Sequence, residues 1–204
     1  MNNIEIIIER ISKVIKPHRI PFSDPWKVLL ATVLSQRTKD EITEIVSKRL
    51  FEKYSDLESL SNADPVDLEN LLKPIGFYRE KAKRIKEIAR LLLEKYDGKV
   101  PSERDLLIQL PGVGQKTANI VLSVCFDKKY IAVDTHVHRI SNRLGWVNTK
   151  RPEDTEKELM KILDKKYWNM INSLFVEFGK KICRPVKPKC KECPVNDLCP
   201  SANL

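Results

Sequence analysis

From Ile4 to Lys181 the apolar residues recur every three or four positions, and runs that alternate apolar with polar are nearly absent. A chain patterned this way buries stripes on helices and has little from which to build a sheet, so the expected fold class is all-α. Ile4, Ile7, Ile8, Ile11, Val14 and Ile15 begin the pattern, and Pro17 closes that first helix. Asp24 before Pro25 reads as an N-cap followed by the first helical residue, opening "WKVLLATVLSQ". Asp64 and Pro65 repeat the device ahead of "VDLENLL". "YREKAKRIKEIARLLLEKYDG" is a long amphipathic helix that Gly98 ends, and "SERDLLIQL", begun at Pro101 and Ser102, runs straight into a glycine turn. "RPEDTEKELMKILDKK" and "YWNMINSLFVEFGKKI" supply two late helices. About ten short helices joined by tight turns are expected.

The glycine turn is "LPGVGQKTANIVLSVCF". Gly112 and Gly114 permit positive φ and let the backbone of the turn approach a bulky partner. The N–H groups that open the next helix point outward with the helix dipole behind them, a seat for a phosphate. A plain helix–helix turn would need the same glycines. Lys116 shifts the balance, because the positive end of a helix and apolar neighbours both disfavour a protonated amine. A neutral lysine is a nucleophile able to form a Schiff base, whereas a solvated one simply pairs with phosphate.

In "IAVDTHVHRISNRLG" the apolar, extended run Ile131 to Val133 leads to Asp134, placed to cap a helix that begins at Thr135. A carboxylate there can stabilise an oxocarbenium-like centre or relay a proton from an attacking amine. His136 and His138 lie two apart and face different sides of a helix, a spacing that suits no shared metal.

After Ile182 the helical period gives way to prolines, lysines and four of the five cysteines: Cys183, Cys190, Cys193 and Cys199, spaced C-x6-C-x2-C-x5-C. Four thiolates so close in sequence can close one four-coordinate site. Zinc usually takes two paired knuckles and only one close pair exists here, while iron–sulfur ligation tolerates varied spacings, so the residues alone leave both metals open. Arg184, Lys187, Lys189 and Lys191 stud the same loop. With 37 Lys and Arg against 28 Asp and Glu the chain carries a formal charge of +9, which suits a polyanionic partner. No stretch approaches the roughly 20 apolar residues of a membrane span, and the N-terminus lacks a signal-peptide plan, so a cytoplasmic, nucleoid-associated location is expected.

Together, "LPGVGQKTAN", "VDTHVHR" and the cysteine spacing resemble the endonuclease III family of DNA glycosylases, over almost the whole length from "DPWKVLLATVLSQ" to Cys199. The resemblance implies two helical domains flanking a DNA cleft. A six-helix barrel with a helix-hairpin-helix would span 18–128, and residues 1–17 with 129–204 would form a domain holding a 4Fe–4S cluster. It favours iron over zinc, with Cys183, Cys190, Cys193 and Cys199 as ligands. It makes Lys116 the Schiff-base lysine and Asp134 the essential aspartate.

By the same resemblance Gln36 and Arg37 of "LSQRTKD" enter the gap left by an extruded base, and Phe77 and Tyr78 of "IGFYREKA" wedge the opposite strand. Gly112, Val113 and Gly114 would seat phosphate, as would Lys187 and Lys191 of the cysteine loop. Arg37 stands where bacterial members carry glutamine, and Ile108 where some relatives carry an acid. The implied activity is that of a monomeric bifunctional DNA glycosylase and AP lyase, removing oxidised pyrimidines from duplex DNA and nicking the abasic site by β-elimination. A monofunctional mismatch (T/G, U/G) or adenine glycosylase on the same scaffold is disfavoured by Lys116, since those relatives place another residue there and use water. A non-catalytic DNA-binding module is disfavoured by the joint presence of Lys116 and Asp134.

Overall fold

The computed structural model describes residues 3–17 and 19–202. Among these, eleven α-helices and three short 3-10 turns account for all regular structure. They divide into two compact units, one of Ile20–Lys128 and one that joins Met1–Arg19 to Lys129–Leu204.

The unit of Ile20–Lys128 carries α2 (Pro25–Ser35), α3 (Asp40–Lys53), α4 (Leu57–Ser61), α5 (Pro65–Leu72), α6 (Tyr78–Tyr96), α7 (Arg104–Ile108) and α8 (Gln115–Phe126). Helix α2 is apolar all round, and every residue from Val28 to Leu34 is buried, as befits the helix at the centre of a bundle. Asp64 caps α5 by accepting from the N–H groups of Val66 and Asp67, worth about 1 kcal/mol. Asp24 holds the cap position of α2 without a side-chain cap bond and instead pairs with Lys27 at 3.1 Å. The one-turn helix α4 exists because Asp56 and Ser59 form a reciprocal capping box. Helix α6 ends on Asp97, itself left-handed at φ 52, one residue before Gly98 at φ 70. Helix α7 starts at Arg104, two residues later than Pro101 and Ser102 suggest.

The other unit packs α1 (Asn3–Val14), α9 (Thr135–Arg143), α10 (Pro152–Ile162) and α11 (Trp168–Lys181) around one core. Ile7, Ile8 and Ile11 from α1 meet Val137 and Ile140 from α9, Leu159 from α10, and Ile171, Leu174, Phe175 and Phe178 from α11. Val14, which shares the helical period of that stripe, is 57% exposed. Val195 is fully buried in the same core and anchors the cysteine-bearing segment to it. A forked pair from Arg10 to Asp197, at 2.8 and 2.9 Å, adds a surface tie between α1 and that segment. No helix among the described residues is long and apolar enough to cross a membrane.

Candidate functional site

The turn between α7 and α8 is built by backbone bonds, with the N–H groups of Leu110 and Val113 donating to the carbonyls of Leu107 and Leu110. Gly112 is left-handed at φ 74, and a Cβ there would sit 2.9 Å from Cδ of Arg84, whose side chain lies over the turn. Gly114 differs from the expectation: its φ is −95, extended backbone that any residue adopts, and nothing lies within 4 Å of where its Cβ would be. Its side is open towards solvent. As N-cap of α8 it offers no side-chain oxygen, so the N–H groups that open this helix receive no side-chain cap from it. Val113, expected to meet DNA, is buried at 5% exposure as part of the core. Lys116 is the second residue of α8 and half-buried, with buried Thr117, Ala118 and Asn119 behind it.

Two further loops of the same unit come together. Arg37 follows the end of α2 and Phe77 precedes α6; both are left-handed, at φ 53 and 59, and both are exposed. A non-glycine residue in that region carries about 1–2 kcal/mol of strain. The Arg37 guanidinium stacks on the Phe77 ring at 5.6 Å, and a Cβ on Gly76 would lie 3.1 Å from the Arg37 carbonyl. Tyr78, the first residue of α6, is half-buried under the Arg79 guanidinium at 5.4 Å. Gln36 is turned the other way, its amide donating to the Gly112 carbonyl at 2.8 Å and to Thr117 Oγ1 at 3.4 Å. The structure thus joins Gln36 to the glycine turn, and Arg37 to Phe77.

Lys81 is a residue that reading the sequence missed. Its Nζ donates to the carbonyls of Leu34 and Gln36 and to Thr38 Oγ1, and it is 2% exposed. The signal was present: Lys81 stands at the helical spacing of Ile85, Ile88 and Leu92, on the buried stripe of α6.

In the other unit, Asp134 caps α9. Its Oδ1 accepts from the N–H groups of both His136 and Val137 at 2.9 Å, so the cap uses one carboxylate oxygen and leaves the second to other work. The neighbouring Asn172 amide donates to the Ala132 carbonyl and holds the extended strip that leads to Asp134. His136 and His138 serve the fold: His136 packs against Arg139 and the bare α-carbon of Gly179, and His138 meets Thr155 Oγ1 at 2.6 Å.

Cys183, Cys190, Cys193 and Cys199 all line one hollow, partly open to solvent, with Ile140, Leu144, Phe178 and Val195 as its apolar wall. Arg143 reaches across from α9, its Nη1 3.5 Å from Cys183 Sγ and bonded to the Arg184 carbonyl, its Nη2 bonded to the Pro185 carbonyl. Burial pushes the thiols of Cys193 and Cys199 up, and the other cysteines around the hollow add like charge to both. Crowded, half-buried thiols of this kind become a stable thiolate set only with cationic metal among them. Among the described residues no group of three His, Cys, Asp or Glu is placed to hold a single metal ion. Four thiols around one hollow are a soft donor set of the kind that suits a thiophilic metal group. Lys187, left-handed at φ 49, and Lys191 are exposed on the same segment.

A sequence profile described as "HhH-GPD superfamily base excision DNA repair protein" matches residues 30–165. Endonuclease III of Thermotoga maritima is 56% identical over 177 residues, a stretch covering 87% of this chain and 83% of that protein. The chloroplastic endonuclease III homolog 1 of Arabidopsis thaliana is 43% identical over 89% of this chain, which spans 50% of that longer protein. Among solved structures, a trapped endonuclease III–DNA covalent intermediate superposes with a TM-score of 0.91 at 38% identity, over 99% of this chain and 97% of that one.

Proposed function

The chain belongs to the endonuclease III family of the HhH-GPD superfamily, and we propose that, as a bifunctional base-excision DNA glycosylase and AP lyase of that family, it acts on oxidised pyrimidines in duplex DNA. The observation that carries the reading is the position of Lys116, second in α8, behind a turn whose open glycine side and uncapped helix start suit a phosphate.

In this reading the damaged base leaves the stack and Lys116 Nζ, once deprotonated, attacks C1′ of its sugar. The glycosidic bond breaks, and the base departs with a proton. The C1′–O4′ bond then opens, O4′ taking up a proton as a hydroxyl, and leaves a protonated imine between Nζ and C1′. Removal of a C2′ proton then expels the 3′ phosphate, which nicks the strand 3′ to the abasic site, and water hydrolyses the imine to regenerate the lysine. In the same reading Asp134, whose α9 cap uses one carboxylate oxygen, supplies the carboxylate that stabilises positive charge developing on the sugar.

Membership in the family implies a 4Fe–4S cluster, and Cys183, Cys190, Cys193 and Cys199 would hold it. When bound, such a cluster ties the cysteine segment into one conformation through its iron–sulfur bonds. Lys187 and Lys191 are then presented to phosphates from a fixed loop.

The test is a duplex with one thymine glycol, incubated with the protein and borohydride. A covalent protein–DNA adduct together with a nick in the unreduced reaction is expected. Base release without any adduct overturns the bifunctional reading, and adduct only on preformed abasic sites overturns the oxidised-pyrimidine assignment.

A further inference from the structure

A buried ammonium is costly unless its donors find acceptors, and Lys81 finds three. All belong to the end of α2 and the turn after it: the Leu34 carbonyl at 2.8 Å, the Gln36 carbonyl, and Thr38 Oγ1 at 3.0 Å. The last carbonyls of a helix have no partner within it, and a cation there also meets the negative end of the dipole. The two acceptors at 36 and 38 flank Arg37, so one ammonium holds the chain on both sides of a strained residue. The backbone N–H of Lys81 donates to the Phe77 carbonyl at 3.1 Å. A single residue therefore grips both loops, side chain on one and main chain on the other, where the Arg37 guanidinium stacks on the Phe77 ring.

We propose that Lys81 is a positioning residue for base extrusion, clasping the two loops so that Arg37 and Phe77 enter the duplex as one preassembled wedge. The inference rests on the reading that the protein acts on flipped-out bases. It accounts for two left-handed, exposed, non-glycine residues facing each other, since inserting a rigid pair costs less ordering entropy than inserting two mobile side chains. Lys81 touches neither base nor sugar and acts through the loops alone.

The decisive probe is a duplex carrying a tetrahydrofuran abasic analogue with 2-aminopurine opposite, whose fluorescence rises when the opposing base is unstacked. This analogue forms no imine, so the signal reports wedge entry apart from lysine chemistry. Wild type should give the rise. Lys81→Met, which keeps the side chain's bulk and removes its donors, should lose most of it and weaken binding about tenfold. Borohydride trapping on a natural abasic duplex at saturating protein should stay within about threefold of wild type, because the chemistry at Lys116 is intact. Lys81→Arg, which restores charge and donors, should recover part of the fluorescence.

A parallel fall in fluorescence and trapping, or no fall in either, overturns the clasp. Should Lys81→Met fail to fold, Thr38→Val decides: it removes one surface-side acceptor and should show the same selective loss at smaller size, and an unchanged signal overturns the proposal. A wild type that gives the rise but leaves thymine glycol uncut overturns the lesion assignment and not the clasp.

Discussion

The side-chain amide of Gln36 donates to the carbonyl of Gly112 at 2.8 Å, so the turn after α2 and the turn before α8 are one hydrogen-bonded surface. The two glycines of the second turn then have separable duties. Gly112→Ala should destabilise the unit of residues 20–128 by about 1–2 kcal/mol, because φ 74 is closed to alanine and Arg84 is in the way. Gly114→Ala meets nothing within the protein and should leave the melting temperature unchanged, yet weaken binding to an abasic duplex. Unchanged binding in Gly114→Ala would show that no partner approaches there.

Lys116→Ala and Lys116→Arg should both give no borohydride adduct, since a guanidinium keeps its proton and cannot attack. Both should remain folded, as the side chain lies in the first turn of α8 and is only half-buried. Gel analysis of trapped complexes reads the outcome. Base removal by Lys116→Ala at the wild-type rate would reduce the lysine to a phosphate contact.

Asp134→Asn separates capping from chemistry. An asparagine oxygen can still accept from the His136 and Val137 N–H groups, so stability should hold to within about 0.5 kcal/mol. Single-turnover base excision should nevertheless fall by roughly a hundredfold or more. Asp134→Ala is the control and should lose about 1 kcal/mol of stability as well. Full excision activity in Asp134→Asn would assign the residue to the cap alone.

Purified protein should be brown and carry about four irons with matching sulfide per chain. Stoichiometric zinc without sulfide would reverse the metal assignment. Cys193→Ser should loosen the segment that Val195 anchors and weaken DNA binding, while the melting of residues 20–128 is untouched. Elemental analysis and a filter-binding titration check both parts.

Burial and the nearby Arg84 guanidinium lower the Lys81 ammonium from 10.5 to about 8. Its folded value lies below its unfolded one, so below about pH 8 the ammonium is charged in both states and its burial counts fully against the folded state. As pH rises from about 8 towards 10.5 the folded protein sheds the proton while the unfolded chain keeps it. Wild type should therefore gain on Lys81→Met by up to about 1 kcal/mol per pH unit in that window. Urea unfolding of both proteins near pH 7 and near pH 9.5 measures the gap, and a gap that narrows the other way contradicts the buried charge.

Residues whose role is set by their immediate neighbours were legible in the sequence. Asp64 and Asp134 cap the helices their positions announce, and the prolines at 25 and 65 open theirs. Residues whose role comes from distant contacts were not. Asp24 has the same local context as Asp64 but meets Lys27 instead of a backbone N–H. Arg37 and Phe77 carry no sequence mark of a left-handed backbone, and the contacts around them join residues some forty positions apart. Lys81 itself hides among the cations of an amphipathic helix, and only its place on the apolar stripe betrays it. Gly112 and Gly114 look alike in one dimension, although only the first needs to be glycine for the backbone's sake.

The unit that contains α1 is assembled from both ends of the chain, with residues 20–128 lying between its two parts in sequence. On the ribosome this imposes an order. Ile7, Ile8 and Ile11 emerge early, but the surfaces they bury against on α9 and α11 are made only after the intervening unit has been synthesised. At roughly 5–20 residues per second that is a delay of many seconds, long enough for residues 20–128 to fold first while the isoleucines of residues 3–14 wait unburied in a segment too short to hold a helix alone. Between those isoleucines stand Glu5, Glu9, Arg10 and Lys13, charges that break up the apolar run for as long as it is unpartnered.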